Sequence, residues 1–378
     1  MTAGTPGGIA VVGSGSLARA ICCSLAVAAD PAPDRVTVLA RSGEAAQEIA
    51  AVAAARAAVS GRSTRFVAMT VDAADPDALV RALNSVRPRV VAHCASVQSP
   101  WENLHAPSAW TDLLARGGFG VGLPLHALLA RRVAEAVRRS AEPALLVNAC
   151  YPDAVNPLLH AEGLPVLCGV GNAATLAAGL RAALRPEPGR RLRVLAHHAH
   201  LHTPDDPGDE LRAWLDDRPV PGVTGHLRRH RACSRTELNA VTGHSAAVVL
   251  ARLAAGYAVH ADLPGPLGLP GGYPVRVEGG EVTLDLPAGL TRKEAVDWQL
   301  RMAAHDGAVV TPDGETRFGD ACRAALAPHL PGEPERYGPG DTAALAGRLL
   351  ELRARLRTAP AAPAVPRTAD PGARLVRS

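Results

Sequence analysis

Residues 8–42 read GIAVVGSGSLARAICCSLAVAADPAPDRVTVLARS, and this stretch decides the fold. Residues 9–12 are a short apolar run of the kind that forms a buried strand. The run breaks at Gly13-Ser14-Gly15-Ser16-Leu17-Ala18, and Ala20, Ile21, Ser24 and Leu25 then recur at helical spacing. Residues 36–40 form a second β run that ends in Arg41-Ser42. Strand, glycine turn, helix and strand in this order make the dinucleotide-binding βαβ unit, in the variant that closes with Ala. Gly13 permits the tight turn, Gly15 lets a pyrophosphate approach the backbone, and Ala18 lets helix and strand pack closely. The first N–H groups of the helix and its positive dipole end favour phosphate. Gly13, Ser14, Gly15, Ser16, Leu17 and Ala18 are therefore the expected cofactor residues.

A unit built for NAD ends its second strand in Asp or Glu, which hold the ribose hydroxyls. Arg41 and Ser42 offer a guanidinium and a hydroxyl, which suit a 2′-phosphate, so the expected cofactor is NADP ahead of NAD. The plain alternative is a solvated arginine on a loop.

The rest of the composition narrows the class. A chain of 378 residues with 47% hydrophobic content suffices for two domains with their own cores. Net charge is +4 with acid and base interspersed, the one basic block is Leu227-Arg228-Arg229-His230-Arg231, and only four tryptophans are present, which argues against nucleic-acid binding. Lys293 is the single lysine, which weakens any Schiff-base mechanism. Seven scattered cysteines without CxxC spacing read as reduced thiols of a cytoplasmic protein. No signal-peptide pattern and no membrane span of about 18 apolar residues is expected.

Beyond residue 42, helices over 43–59, 76–86 and 123–139 alternate with strands over 65–71, 89–95 and 144–148, and Asp72 or Asp75 is the start signal of the second helix. This predicts an α/β fold with a Rossmann, doubly wound parallel sheet. A sixth strand over 166–171 and a helix over 173–184 follow, and residues 1–185 form the expected cofactor domain. Residues 186–357 read as an α+β domain for substrate and oligomerisation, with helices over 236–255, 291–304 and 343–356 and a hairpin turning at Glu278-Gly279-Gly280. Thr291 and Glu294 make a capping box. Residues 358–378 read as a disordered tail.

Ligands of such sheets sit beyond the carboxyl ends of the strands, so Ala95 and Ser96 are expected against the cofactor. The long loop over 96–122 carries Gln98, Trp101, Glu102, His105, Trp110 and Arg116. It reads either as a substrate lid, with Gln98 and Trp101 at the substrate, or as a small helix packing Trp110 on the body.

Three segments resemble the lactate/malate dehydrogenase superfamily: Leu145-Leu146-Val147-Asn148-Ala149-Cys150-Tyr151-Pro152-Asp153, Cys168-Gly169-Val170-Gly171-Asn172-Ala173-Ala174-Thr175-Leu176-Ala177-Ala178, and Val194-Leu195-Ala196-His197-His198-Ala199-His200-Leu201-His202-Thr203-Pro204. The resemblance runs over residues 8–305 in family order. It implies a lactate/malate dehydrogenase-like second domain, a homodimer or homotetramer, Cys150 beside the nicotinamide, and His198 at the catalytic histidine. It also exposes departures. The Asp that pairs with the catalytic His falls on Thr175, the substrate-binding Arg falls on Ala178, and the Asn of the turn falls on Cys150, while Asp153 persists. The mobile-loop arginine has no clear equivalent, with Arg116 the first candidate.

The chemistry left is hydride transfer with an acid/base. His198 leads, with His200, His202, His244 or Tyr273 as stand-ins; on a strand, His198, His200 and His202 would share a face. No metal is expected. Glu102 or Asp153 is the expected replacement for the missing carboxylate, and Thr175 and His244 complete the candidate substrate residues. The expected function is an NADP-dependent oxidoreductase acting on a C=O or C=N bond of a small metabolite, with specialised metabolism as the setting. The alternatives are an opine- or saccharopine-type imine reductase, and a catalytically inactive NADP-binding sensor or accessory protein.

Overall fold

A computed structural model of the chain describes residues 8–28, 30–332 and 335–361. The expected tail over 358–378 lies almost wholly outside these residues.

The chain runs β1 (Ile9–Val12), α1 (Ser16–Ala28), β2 (Arg35–Ala40), α2 (Gly43–Val59), β3 (Arg65–Thr70), α3 (Pro76–Val86) and β4 (Val90–His93). The loop after β4 carries α4 (Glu102–His105) and α5 (Ala109–Gly117). Then come α6 (Leu123–Arg139), β5 (Leu145–Asn148), α7 (Pro152–Ala161), β6 (Cys168–Gly169) and α8 (Asn172–Leu184). These six strands form one sheet in the order β3-β2-β1-β4-β5-β6, and every ladder in it is parallel. This is the doubly wound Rossmann order, with the reversal between β1 and β4. Its inner strands β1 and β4 are buried along their length because helices cover both faces, while the edge strand β3 is partly exposed. Asp75 caps α3, its side chain accepting from Asp77 N and Ala78 N.

The second half opens with β7 (Leu192–Leu195), β8 (Arg212–Leu215) and β9 (Arg218–Pro219), an antiparallel sheet. Next come α9 (Val223–Arg231) and α10 (Arg235–Ala254), then the antiparallel set β10 (Val259–Pro264), β11 (Gly272–Glu278) and β12 (Glu281–Leu284). Helix α11 (Arg292–Ala303) starts at the expected Thr291–Glu294 capping box. The chain continues through β13 (Ala308–Val310), β14 (Thr316–Phe318), α12 (Asp320–Leu326), β15 (Arg336–Tyr337) and α13 (Thr342–Arg357). Helix α10 packs on α1, and α13 returns to pack on α6 and α5. The second half is thus folded back against the nucleotide sheet on both of its faces.

Two local expectations fail. The sixth strand is two residues long rather than six. The histidine run is not a strand: residues His198–Leu201 form a 3₁₀ turn in which His197 caps its own backbone, accepting from Ala199 N. His198, His200 and His202 therefore do not share a face.

Candidate active site

The ends of β1, β2, β4 and β5 open into a cavity of about 930 Å³. Its floor is the glycine turn. Gly13 has a φ of +123°, and a Cβ there would lie 2.9 Å from Ala95 N, so both conformation and the neighbouring chain demand glycine. A Cβ on Gly15 would meet nothing within 4 Å. The space Gly15 leaves empty faces the start of α1, whose first turn holds no acidic residue. That is the donor set a pyrophosphate fits. Ser14, Ser16 and Leu17 line the cavity with them, whereas Ala18 is buried in α1 and serves packing.

Arg41 and Ser42 line the far end beside Asp72 and Ala73. Arg41 is exposed; the Ser42 hydroxyl caps α2, accepting from Ala45 N. Ala95, Ser96 and Cys150 line the middle, and the Cys150 thiol lies 3.2 Å from Ala95 O.

The loop after β4 divides its tryptophans. Trp101 lines the cavity and donates from Nε1 to the Ser16 hydroxyl at 3.0 Å. Trp110 is fully buried and donates to Gln98 Oε1. Gln98, also on the cavity wall, donates on to Glu102 at 3.1 Å. Glu102 forms a bidentate pair with Arg357 of α13, both contacts 2.6 Å, and Arg353 donates to Val97 O. The C-terminal helix thus straps this loop over the cavity. Arg116 is exposed on α5 and does not line the cavity, so it is no substitute for a substrate arginine.

The decisive group was not anticipated. His198 reaches the cavity wall, and its Nδ1 lies 3.0 Å from Oδ2 of Asp306, at the turn after α11. Glu102 is committed to Arg357. Asp153 meets only the backbone of this residue, accepting from His198 N at 3.1 Å. The Tyr151 hydroxyl donates to the same Asp306 oxygen at 3.3 Å. Asp306 is 7% exposed. Burial alone would raise its pKa, but the facing His198 charge and hydrogen bond hold it down at about 2. Burial likewise opposes charge on His198, yet the Asp306 carboxylate outweighs it and the imidazole pKa is raised above its ordinary value.

An aromatic cage surrounds this pair. Phe119 sits 4.5 Å from the His198 ring and stacks on His126 at 5.2 Å, and Tyr151 meets His198 edge-on at 5.6 Å. His126 shares a hydrogen bond with the Ser96 hydroxyl at 3.0 Å. Burial, with the nearby His198 charge, pushes it down to about 4, so it is neutral. Asp153 is pushed up to about 6 by burial, partly offset by His198.

The other candidates fall into two groups. Thr175 lines the cavity and shares a hydrogen bond with Thr242 at 2.7 Å; His202 also lines it. His200 does not belong there. It is buried, stacks on Trp298 at 5.2 Å, and spends its ring nitrogens on Asp209 O and His197. His244 is exposed on α10, and Tyr273 is buried in the core; neither lines the cavity. Among the described residues no group of three or more His, Cys, Asp or Glu side chains is arranged to hold a metal ion.

No family model matches the chain, and no curated protein sequence matches it. Solved structures with some similarity to the chain are known. Malate dehydrogenase from Cryptosporidium parvum is similar at a TM-score of 0.47 and 15% identity, over 79% of this chain and 96% of that one. Malate dehydrogenase from Plasmodium falciparum gives 0.47 and 13%, over 85% and 98%. Lactate dehydrogenase from Eimeria maxima gives 0.46 and 15%, over 79% and 95%. No helix among the described residues is by itself long and apolar enough to cross a membrane.

Proposed function

We propose that this chain is an NADP-dependent oxidoreductase that reduces or oxidises a C=O or C=N bond of a small metabolite. The observation that carries the reading is that one cavity joins a glycine turn, open above Gly15, to a histidine backed by a buried carboxylate. Gly13, Ser14, Gly15 and Ser16 would hold the pyrophosphate, and Ala95, Ser96 and Cys150 would border the nicotinamide half. When bound, the nicotinamide dinucleotide supplies or accepts the hydride.

The chain's own residues handle the proton. His198 turns Nδ1 to Asp306, which leaves Nε2 for the substrate. In reduction the imidazolium donates from Nε2 to the oxygen or nitrogen gaining charge, and in oxidation neutral Nε2 takes that proton back. Asp306 stabilises the charged ring and fixes its orientation, the part the resemblance assigns to a position now held by Thr175. Phe119 and Tyr151 pack against the His198 ring and hold it in place. Asp306 speaks against the inactive-sensor alternative, because it supplies the carboxylate whose absence, together with that of the substrate arginine, favours a sensor.

The first test is titration of the purified protein with NADPH and NADH, followed by nicotinamide fluorescence. Selective NADPH binding is expected, and binding of neither cofactor refutes the reading. Arg41→Ala should weaken NADPH by about tenfold or more and NADH far less, because only NADPH carries the phosphate a guanidinium pairs with. Equal loss for both would remove Arg41 from the 2′-phosphate assignment. We further propose a cytoplasmic homodimer or homotetramer, which sedimentation of the purified chain checks.

A further inference from the structure

Arg235 opens α10 and lines the cavity with Leu201, His202, Thr175 and Thr242. Its Nη2 donates to Leu201 O at 2.8 Å, which fixes the guanidinium, while Nη1 is buried without a hydrogen-bond partner. Among the described residues no carboxylate forms an ion pair with it. The neighbouring arginine is different: Arg231 forms a bidentate pair with Glu210 at 2.6 and 2.7 Å, with both side chains under a tenth exposed. Glu210 is thereby used up, and the Arg231 charge lies near enough, with burial, to depress the Arg235 pKa. Around Arg235 lie Arg231, His198 and His202; the one carboxylate in this cluster, Asp306, is paired with His198 at 3.0 Å. His202 Nε2 lies 3.5 Å from Arg235 Nη2. A half-buried guanidinium, held in place, with Nη1 unpartnered and no counter-ion, is free to pair with an anion from a ligand.

We infer that Arg235 is the substrate anchor of this site, and that it pairs with an oxyanion group carried by the substrate. The inference rests on the oxidoreductase reading for what happens to that substrate, but not for its binding. Geometry supports the placement. Arg235 is bonded to Leu201 O, the last residue of the turn that opens at His198, and both side chains line one cavity, so an anion seated on Arg235 brings the adjoining carbon toward the acid/base. Helix α8 packs on α10, and Thr175 and Thr242 meet at that contact, giving hydroxyls on the same wall. The charge that Ala178 of α8 does not offer therefore comes from the facing helix.

The test uses the full chain, with and without NADPH, and titrates acetate, oxalate and inorganic phosphate against the neutral amides acetamide and oxamide by calorimetry. The wild type should bind at least one anion about tenfold or more tighter than its uncharged counterpart. Arg235→Met should abolish that preference while leaving the NADPH affinity within twofold, and Arg235→Lys should keep part of it. If Arg235→Met does not fold, Arg235→Lys decides, because it retains charge but loses the fork. Carboxylate and phosphate arms separate the two sources of the oxyanion. Anion affinity that is unchanged in Arg235→Met, or a wild type that does not distinguish anions from amides, overturns the inference. Arg235-dependent anion binding without any NADPH binding would uphold it and refute the cofactor assignment instead.

Discussion

Asp306→Asn is expected to lower turnover by about 10²–10⁴-fold while leaving NADPH affinity nearly intact. The carboxylate has no contact with the glycine turn; it faces His198 Nδ1 at 3.0 Å, the Tyr151 hydroxyl at 3.3 Å and His197 Nδ1 at 3.4 Å, and His198 is the one of these at the cavity placed for proton transfer. An amide in its place supplies no charge and can present its NH₂ to the ring, so both the pKa and the tautomer of His198 are lost. Burial, which Asp306 now outweighs, would then set the imidazole pKa and pull it below its ordinary value. His198→Ala should cost at least as much, because it removes the proton donor itself.

The pH dependence follows with its sign. His198 has a raised folded pKa, so its share of the pair's stability is complete below its unfolded value and is lost as pH rises through the folded one. Asp306, depressed to about 2, contributes above its unfolded value and loses that contribution as pH falls through about 2. The pair is therefore intact from acid pH up to the raised histidine pKa. Reduction, which needs the imidazolium, should decline above that pKa, and oxidation should rise there. In Asp306→Asn the reductive limb should move to lower pH. A profile unchanged by the substitution would mean that another group delivers the proton.

Much of this site was legible because its signals are local. The strand, the glycine turn and the helix after it occupy adjacent residues, and so do Asp75 and the helix it caps. Thr291 and Glu294 declare the start of α11 within three residues. Asp306 could not be read in the same way, since it lies 108 residues from His198 and meets it only through the packing of the second half. A cue existed in Gly307, a stop after a helix, but it marks a turn and not a partner. The short β6 differs from its reading because the ladder with β5 spans only Cys168 and Gly169, with single bonds from Leu167 N and Val170 N at its ends, although residues 166 and 167 are apolar. Helix α7 was hidden by Pro152 and Pro157, although Pro152 occupies the first turn, where no N–H is needed. The histidine run misled because alternation implied a strand, whereas side-chain to backbone bonds from His197 and His200 close a 3₁₀ turn.

The two glycines of the turn are expected to fail in different ways, and the contrast tests whether the cavity floor is a binding surface or merely a tight corner. Gly13→Ala forces a side chain into a backbone with φ of +123° and within 2.9 Å of Ala95 N and the Cys94 carbonyl carbon. Neither contact is the flexible end of a side chain, so β1 must shift from β4. The cost should be about 2–4 kcal/mol of stability, seen as a lowered melting temperature with or without nucleotide. Gly15→Val meets open space, has no positive φ to satisfy, and should leave the melting temperature of the free chain within a few degrees. Its side chain would nevertheless fill the volume before the α1 N-terminus that a pyrophosphate would occupy. NADPH affinity should therefore fall by about 10²-fold or more, and the thermal stabilisation that NADPH gives the wild type should vanish. A Gly15→Val chain that binds NADPH normally would show that the open volume above the turn does not hold the phosphates.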